Sequence, residues 1–293
     1  MSAPASQGYV TMAYGPRRFF EMAVNLALSV KLNDPDRPIA LLYKDEAELP
    51  DGAAQHFDQC VKFEHAERFP GVTIKLGIYE PAPYAETMYV DADCLIMKRD
   101  MNRHWQKLGA QEFTIPGAVV TAGKAYGCDV KKMMQAAGVD YFCDMNCGVV
   151  YFRKSDAAEA VFRDARALLA EGHPDLIELR PRRGDGLSDQ PYFAAAMARN
   201  NLRPISYAPE EGTIMATTFR AADMRFDFEK SESRLRKPTG FRLFDRFVAR
   251  GWVRHETSVA HFIELKPLAD YQRLSDWLRR HLGVAPYVFA PGR

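Results

Sequence analysis

The chain has 293 residues, 47% of them hydrophobic and 26% charged, and 39 basic against 38 acidic side chains leave a formal net charge of +1. That length and packing capacity point to one large soluble α/β unit with a C-terminal elaboration, and the charge balance argues against a global field for nucleic acid or membrane. No apolar run approaches the roughly 18 residues of a spanning helix. The opening Met1-Ser2-Ala3-Pro4-Ala5 lacks the basic and apolar regions of an export signal. Five cysteines (Cys60, Cys94, Cys128, Cys143, Cys147) give neither a disulfide framework nor a paired zinc pattern. They read as buried neutral thiols, and the reducing cytoplasm is the expected compartment.

Tyr9-Val10-Thr11-Met12-Ala13-Tyr14 is β-prone and is broken by Gly15-Pro16. Phe19, Ala23, Leu26 and Val30 then recur at helical spacing until Asn33-Asp34-Pro35. Ile39 to Tyr43 is a buried-type strand, completing a βαβ unit that favours a parallel sheet. Ligands in such sheets sit beyond the carboxyl ends of the strands, so Thr11 to Gly15 borders a candidate site. Thr87 to Val90 reads as a strand ending on Asp91-Ala92-Asp93, after which Cys94 to Met97 resumes β character. Gly148 to Phe152 is another apolar strand, followed by a helix capped by Ser155, ended by Gly172 and offering Ala160, Phe162, Ala167, Leu168 and Leu169 to the core. A further helix starts near Ser188-Asp189-Gln190-Pro191 and runs to Asn200; Thr257 to Ile263 is a late strand, and Leu268 to Leu282 a terminal helix. Arg180 to Gly186 is expected to be a loop.

The chemistry starts at Asp91 and Asp93. Two carboxylates at i and i+2 on a strand end can face one side and hold a hard divalent cation while leaving positions for phosphate oxygens. A short motif carries a large false-positive risk. The chain's Asp34-Pro35-Asp36 is a second D-x-D triplet, expected to be a solvated turn. The flanking apolar strands distinguish Asp91 and Asp93 from it. Further along, Asn146 and Gly148 precede a buried strand, Asp189-Gln190 lies at a helix start, and His261 is followed by Lys266-Pro267. Each alone has a structural reading: a turn, a cap, a core histidine, a surface charge. Their joint order does not.

That ordered set resembles the glycogenin-like, retaining glycosyltransferases of the GT-A fold. The resemblance runs over residues 9–267, from Val10-Thr11 through Lys75, Tyr89-Val90-Asp91-Ala92-Asp93, Asn146-Cys147-Gly148-Val149 and Asp189-Gln190 to His261 and Lys266. It implies a Rossmann-like three-layer α/β fold with a mixed, mainly parallel sheet, a transferase domain over 1–267 and a helical extension over 268–293. It also implies a UDP-sugar donor. Thr11, Ala13, Tyr14 and Ala92 would border the nucleotide, and Phe19 would stack on uracil. Lys75 would approach the phosphates or sugar, and Asn146 would bond the donor sugar. Asp189 and Gln190 would lie at the reacting face. Asp91, Asp93 and His261 would bind the metal, and Lys266 would hold the leaving phosphate. Such a donor set suits Mn²⁺, with Mg²⁺ as the second choice. The chain departs from the family at Glu264, where glycine is usual, at Leu268 in place of tryptophan, and in the His261–Lys266 interval, one residue shorter than usual.

Between Lys230 and Arg254 stand eight basic residues (Lys230, Arg234, Arg236, Lys237, Arg242, Arg246, Arg250, Arg254) interleaved with Phe241, Phe244, Phe247 and Trp252. The functional reading is an anionic or glycolipid acceptor surface, or a peripheral membrane contact. The bland reading is an amphipathic helix with solvated charges. The acceptor is left open among carbohydrate, glycolipid and protein, and no nucleic acid is expected. Two rivals share the metal and nucleotide features: a non-catalytic nucleotide-sugar-binding protein and a sugar nucleotidyltransferase. The latter normally carries a Gly-x-Gly-x-Arg loop that Tyr14-Gly15-Pro16-Arg17 does not reproduce.

Overall fold

The computed structural model describes residues 6–64, 68–69, 71–177, 188–207, 213–218, 224–238, 242–243, 246–247, 250–254 and 257–290. The chain opens with β1 (Gln7–Ala13), α1 (Arg17–Asn33), β2 (Ile39–Tyr43), β3 (Gln59–Lys62), β4 (Glu86–Val90), β5 (Cys94–Ile96), α2 (Met101–Leu108) and β6 (Phe113–Thr114). Two small antiparallel ribbons follow, β7 (Gly117–Val120) with β10 (Phe142–Met145) and β8 (Lys124–Ala125) with β9 (Cys128–Asp129), enclosing α3 (Val130–Ala137). Then come β11 (Val149–Arg153), α4 (Asp156–Glu171), α5 (Gln190–Arg199) and β12 (Met215–Thr217). The last part holds β13 (Met224–Asp227), β14 (Glu232–Pro238), β15 (Arg242–Leu243), β16 (Arg246–Phe247), β17 (Arg250–Arg254), β18 (Val259–His261) and α6 (Leu268–His281).

The central sheet has the order β3-β2-β1-β4-β11-β6. The β1–β2, β1–β4 and β2–β3 pairs are parallel, while β11 runs antiparallel to both β4 and β6. The sheet is thus mainly parallel, as the βαβ opening predicts, and mixed, as the family resemblance implies. Alternation along β1 sorts the core into two layers. Val10 and Met12 face a cluster containing Phe152, Phe162 and Phe193; Tyr9 and Ala13 face one built on Phe20, Ala23, Leu26 and Val30 of α1. Helices therefore cover both faces, which a sheet with buried parallel strands requires. A third cluster joins Leu95 and Met97 to Phe262, Tyr271, Leu274 and Leu278 beneath α6.

Several expectations change in the structure. Asp34 is buried rather than solvated: it caps the end of α1 and accepts from the Tyr9 hydroxyl at 2.5 Å, Trp105 Nε1 at 3.2 Å and Arg37 at 2.9 Å. Periodicity cannot report such capture of a turn carboxylate by distant donors. In α4, Phe162 and Leu168 are buried as expected and are joined by Ala158, Val161 and Ala165, while Ala160 and Leu169 are half-buried and Ala167 is exposed. None of the described residues of the 230–254 segment is helical. Its described residues form antiparallel strands, with β14 between β13 and β17. Phe241, Phe244 and Arg180 to Gly186 lie outside the described residues. Every cysteine is a free thiol. Among the described residues no helix is long and apolar enough to cross a membrane.

Helix α6 is fastened to α1 by buried polar bonds. Arg279 donates to Asn25 Oδ1 at 2.6 Å and to Glu21 Oε2 at 2.8 Å, and Asn25 Nδ2 donates to Ser275 at 3.0 Å. A buried ion pair is costly to form, and removing one partner strands the other. Arg279→Ala should therefore destabilise the fold by about 3 kcal/mol, read as a lower urea midpoint at unchanged slope.

Candidate functional site

Two antiparallel ladders meet at the turn between β4 and β5. On one side Val149 of β11 stands opposite Val90, and the Asp91 amide donates to the Gly148 carbonyl at 2.9 Å. On the other side His261 of β18 stands opposite Cys94, and the Phe262 amide donates to the Asp93 carbonyl at 2.9 Å. A bond from the Cys94 amide to the Asp91 carbonyl, also 2.9 Å, closes the turn. Residues 91–93 are thus gripped by strands that come from three distant parts of the sequence. Gly148 is required where it stands: a Cβ there would lie 2.5 Å from His261 Nδ1.

This grip assembles five of the ionisable residues expected from sequence. His261 Nε2 is 3.2 Å from Asp93 Oδ1 and 3.7 Å from Asp91 Oδ2. Lys75, on a short 3₁₀ segment over Gly71–Gly77, reaches Asp91 Oδ1 at 2.7 Å and Asp189 Oδ2 at 3.3 Å, and donates to the Cys147 carbonyl at 3.3 Å. The Tyr89 hydroxyl donates to Asp91 Oδ1 at 3.0 Å. Burial opposes charge on Lys75, but Asp189 and Asp91 outweigh it and hold its pKa well above the usual lysine value. Burial likewise pushes His261 down, while Asp93, bonded to it, and Asp91 raise it overall. Three carboxylates and one fixed ammonium leave the cluster anionic even when the imidazole is protonated.

Such a cluster suits a divalent cation. Asp93, Cys94 and His261 bring one donor atom each within 4.8 Å of one another, and Asp91 adds oxygen beside the imidazole. Among the described residues His261 Nδ1 is buried with no hydrogen-bond partner, so none of them fixes the ring's tautomer from its far side. Carboxylate oxygens with one imidazole fit Mn²⁺ or Mg²⁺.

The remaining expected residues are placed as follows. Thr11 is buried in β1 and its Oγ1 has no partner. Ala13 ends that strand, and the Tyr14 hydroxyl donates to the Gly71 carbonyl at 3.0 Å. Phe19 and Ala92 are half-buried and pack against the same two clusters, under α1 and under α6. Asn146 Oδ1 accepts from the Gly148 amide at 2.9 Å, fixing the entry to β11. Gln190 is the first residue of α5, and its amide donates to Ser188 at 3.4 Å. Lys266 is exposed, pairs with Glu264 at 2.6 Å and precedes a cis bond to Pro267. Sequence reasoning missed Cys94 and Tyr89 as neighbours of the carboxylates. Strand register was the signal that places Cys94 across from His261.

Outside the cluster, β18 is anchored at its start. Ser258 Oγ donates to Asp100 Oδ1 at 2.6 Å and lies 2.8 Å from His104 Nε2, whose Nδ1 is 3.0 Å from the Tyr207 hydroxyl. Because the Ser258 proton goes to Asp100, His104 Nε2 is the donor to Ser258, which leaves Nδ1 to accept from Tyr207. That chain needs a neutral imidazole. Burial and Arg103 agree with it, lowering His104 to about 3.

No protein-family model matches the chain, and neither does any curated protein. Solved structures do. The galactosyltransferase LgtC, in complex with donor and acceptor sugar analogs, aligns over 92% of this chain and 95% of its own at 12% identity, with a TM-score of 0.51. This chain has the α/β fold of GT-A glycosyltransferase structures. An active-site mutant of LgtC covers 87% of this chain and 86% of its own at 15% identity and a TM-score of 0.48. The glycosyltransferase GlyE of Streptococcus pneumoniae covers 69% of this chain and 45% of its own at 14% identity and a TM-score of 0.44. At these identities the likeness concerns the fold.

Two outcomes follow from the geometry. Gly148→Ala should displace the His261 ring and weaken Mn²⁺ binding at least about tenfold, as loss of a ligand's supporting contact does, measured by the Mn²⁺ electron-paramagnetic signal. The His104 shift has a definite sign. Its folded pKa lies below the unfolded value, so the unfolded chain takes up the proton first and stability falls as pH drops below about 6.5 toward 3. Urea titrations in that window should show a shallower loss for His104→Gln than for the parent.

Proposed function

We propose that the chain is a metal-dependent glycosyltransferase that moves a hexosyl group from a UDP-sugar to an acceptor with retention of anomeric configuration, as in glycogenin-like enzymes. The observation that carries this reading is the meeting of His261 of β18 with Asp91 and Asp93 of the β4–β5 turn, with Lys75 and Asp189 paired beside them. The proposed transferase unit spans 1–267, with 268–293 as a helical extension, and the proposed setting is the cytoplasm.

Cleaving a sugar–phosphate bond leaves negative charge on the departing nucleoside diphosphate, and stabilising that charge is the catalyst's main task. A divalent ion held by Asp91, Asp93 and His261 would supply Lewis-acid stabilisation there. The protein's own groups supply the rest. Lys75 keeps the Asp91 carboxylate aimed by a 2.7 Å ion pair and prevents three carboxylates from repelling one another apart. Lys266, on the exposed segment after β18, is the cation proposed for the leaving phosphate. Thr11, Ala13, Tyr14, Phe19 and Ala92 are the proposed nucleoside contacts.

At the anomeric carbon an oxocarbenium-like charge develops, which a nearby carboxylate or amide oxygen favours. Asp189, Gln190 and Asn146 are the groups assigned to that side. Asp189 is almost fully buried and paired with Lys75, so its negative charge is fixed in position before the reaction begins.

The test is free-UDP release from a panel of UDP-sugars with Mn²⁺. Asp93→Ala should lower turnover at least ~10²-fold, the usual loss when a charge-stabilising element is removed. Mn²⁺-dependent UDP binding without turnover, even with acceptors supplied, favours a binding protein instead. Absence of both would sink the reading.

A further inference from the structure

The three-stranded sheet β13-β14-β17 has two unlike faces. Phe226 and Ser233, opposite each other in register, are buried; the Phe226 ring lies 6.4 Å from Phe262, and Ser233 Oγ donates to the Thr257 carbonyl at 3.1 Å. That face is fastened to residues that flank β18, the strand that carries His261. Alternation puts the neighbouring positions on the other face. Arg225 pairs in register with Arg234, and Arg234 pairs with Arg254, giving one arginine from each strand in a single row. Arg225 and Arg234 are exposed. The next row along β14 sets Arg236 opposite Trp252, and the row after it sets Pro238 opposite Arg250.

We propose that this face binds the acceptor, and that the acceptor is an anionic saccharide carrying phosphate or carboxylate groups. The term acceptor rests on the transferase reading; the anion recognition does not. Charge complementarity is the first reason. Five arginines share the face with two carboxylates, Asp227 and Glu232, which lie together at the hairpin end, where Asp227 pairs with Lys230 at 3.0 Å and Glu232 with Arg234 at 3.4 Å. Residue choice is the second reason. The basic residues of this face are all arginine, while Lys237, the one lysine within these strands, falls at the alternate parity. Guanidinium forks grip planar oxyanions through two parallel bonds, whereas ammonium acts as a point charge. Spacing is the third. Neighbouring strands lie about 4.8 Å apart and alternate residues along a strand about 7 Å apart, so the register positions that carry the arginines form a regular grid. Such a grid suits regularly placed anionic groups on a chain of sugars, with Trp252 at a register position beside Arg236 for a sugar face. A membrane surface would be served as well by lysines in no fixed order.

The test measures binding without donor, so that it stands apart from turnover. A fluorescently labelled hexamer of galacturonate and a phosphorylated maltohexaose are titrated into the full chain at physiological salt, against neutral maltohexaose. Both anionic probes should bind at least about tenfold tighter than the neutral one, the scale of charge-assisted hydrogen bonds. The double variant Arg234→Lys with Arg254→Lys, which preserves charge, should lose about tenfold in affinity at an unchanged melting temperature. Equal binding of neutral and anionic probes overturns the proposal. So does full affinity in the lysine variant, which would mark a generic electrostatic field. Capture of the protein by phosphatidylglycerol vesicles with no binding of either anionic oligosaccharide overturns it too, in favour of a membrane contact. If UDP-sugar turnover fails while the anionic probes bind as expected, the site reading falls and the saccharide surface stands.

Discussion

The ammonium of Lys75 is the charge on which the candidate site depends. It lies at the boundary of the core, within ion-pairing distance of Asp91 and Asp189, which belong to a turn after β4 and the cap of α5. Neither carboxylate is cheap to bury alone, and Asp189 is almost wholly shielded from water. Lys75 between them offsets that cost, and their shared counter-charge raises the lysine in return. The 3₁₀ segment, the β4–β5 turn and the start of α5 are tied by one charge, so a shift in any of them would be felt by the other two.

The ladders around residues 91–93 have a related consequence. Asp91 is held by β11 and Asp93 by residues at the end of β18, and β18 is anchored at its other end through Ser258 to Asp100 and His104. The two carboxylates are therefore fixed by backbone hydrogen bonds, which do not depend on the side chains being charged. A turn built in this way keeps its carboxylates together despite their mutual repulsion, because separating them would break ladder bonds on both sides.

Much of this was legible in the sequence, and the boundary of legibility has a physical cause. Ile39–Tyr43, the β4 strand before Asp91 and the α4 start at Ser155 follow from local pattern and capping, so the structure agrees with them. Asp34 shows where local pattern fails. In sequence it sits in a proline turn, yet Tyr9, Arg37 and Trp105 converge on it from three elements. The basic segment fails for a different reason. Arginines and aromatics recur there at intervals that admit helical or strand periods, and pairing between β14 and β17 decides in favour of strands. Cys94 escaped notice because its relation to His261 exists only across the β5–β18 pair.

Unsatisfied polar atoms sharpen the same distinction. Among the described residues, five buried side-chain atoms lack a hydrogen-bond partner: Thr11 Oγ1, Asn33 Oδ1, Tyr84 OH, Asp189 Oδ2 and His261 Nδ1. Asp189 Oδ2 does lie 3.3 Å from Lys75 Nζ, so its deficit is one of bond direction and not of charge. Three of the five belong to residues singled out from sequence for nucleotide, metal or sugar contact. A fold tolerates a buried orphan at a cost of about 1–3 kcal/mol, and native structures carry few of them. Their occurrence in β1, at the cap of α5 and in β18 is unexpected for atoms whose only role is packing, since a buried polar atom without a partner bears its desolvation cost uncompensated. Two of the three, on Asp189 and His261, belong to the charged cluster around Asp91, where a polar ligand would meet them.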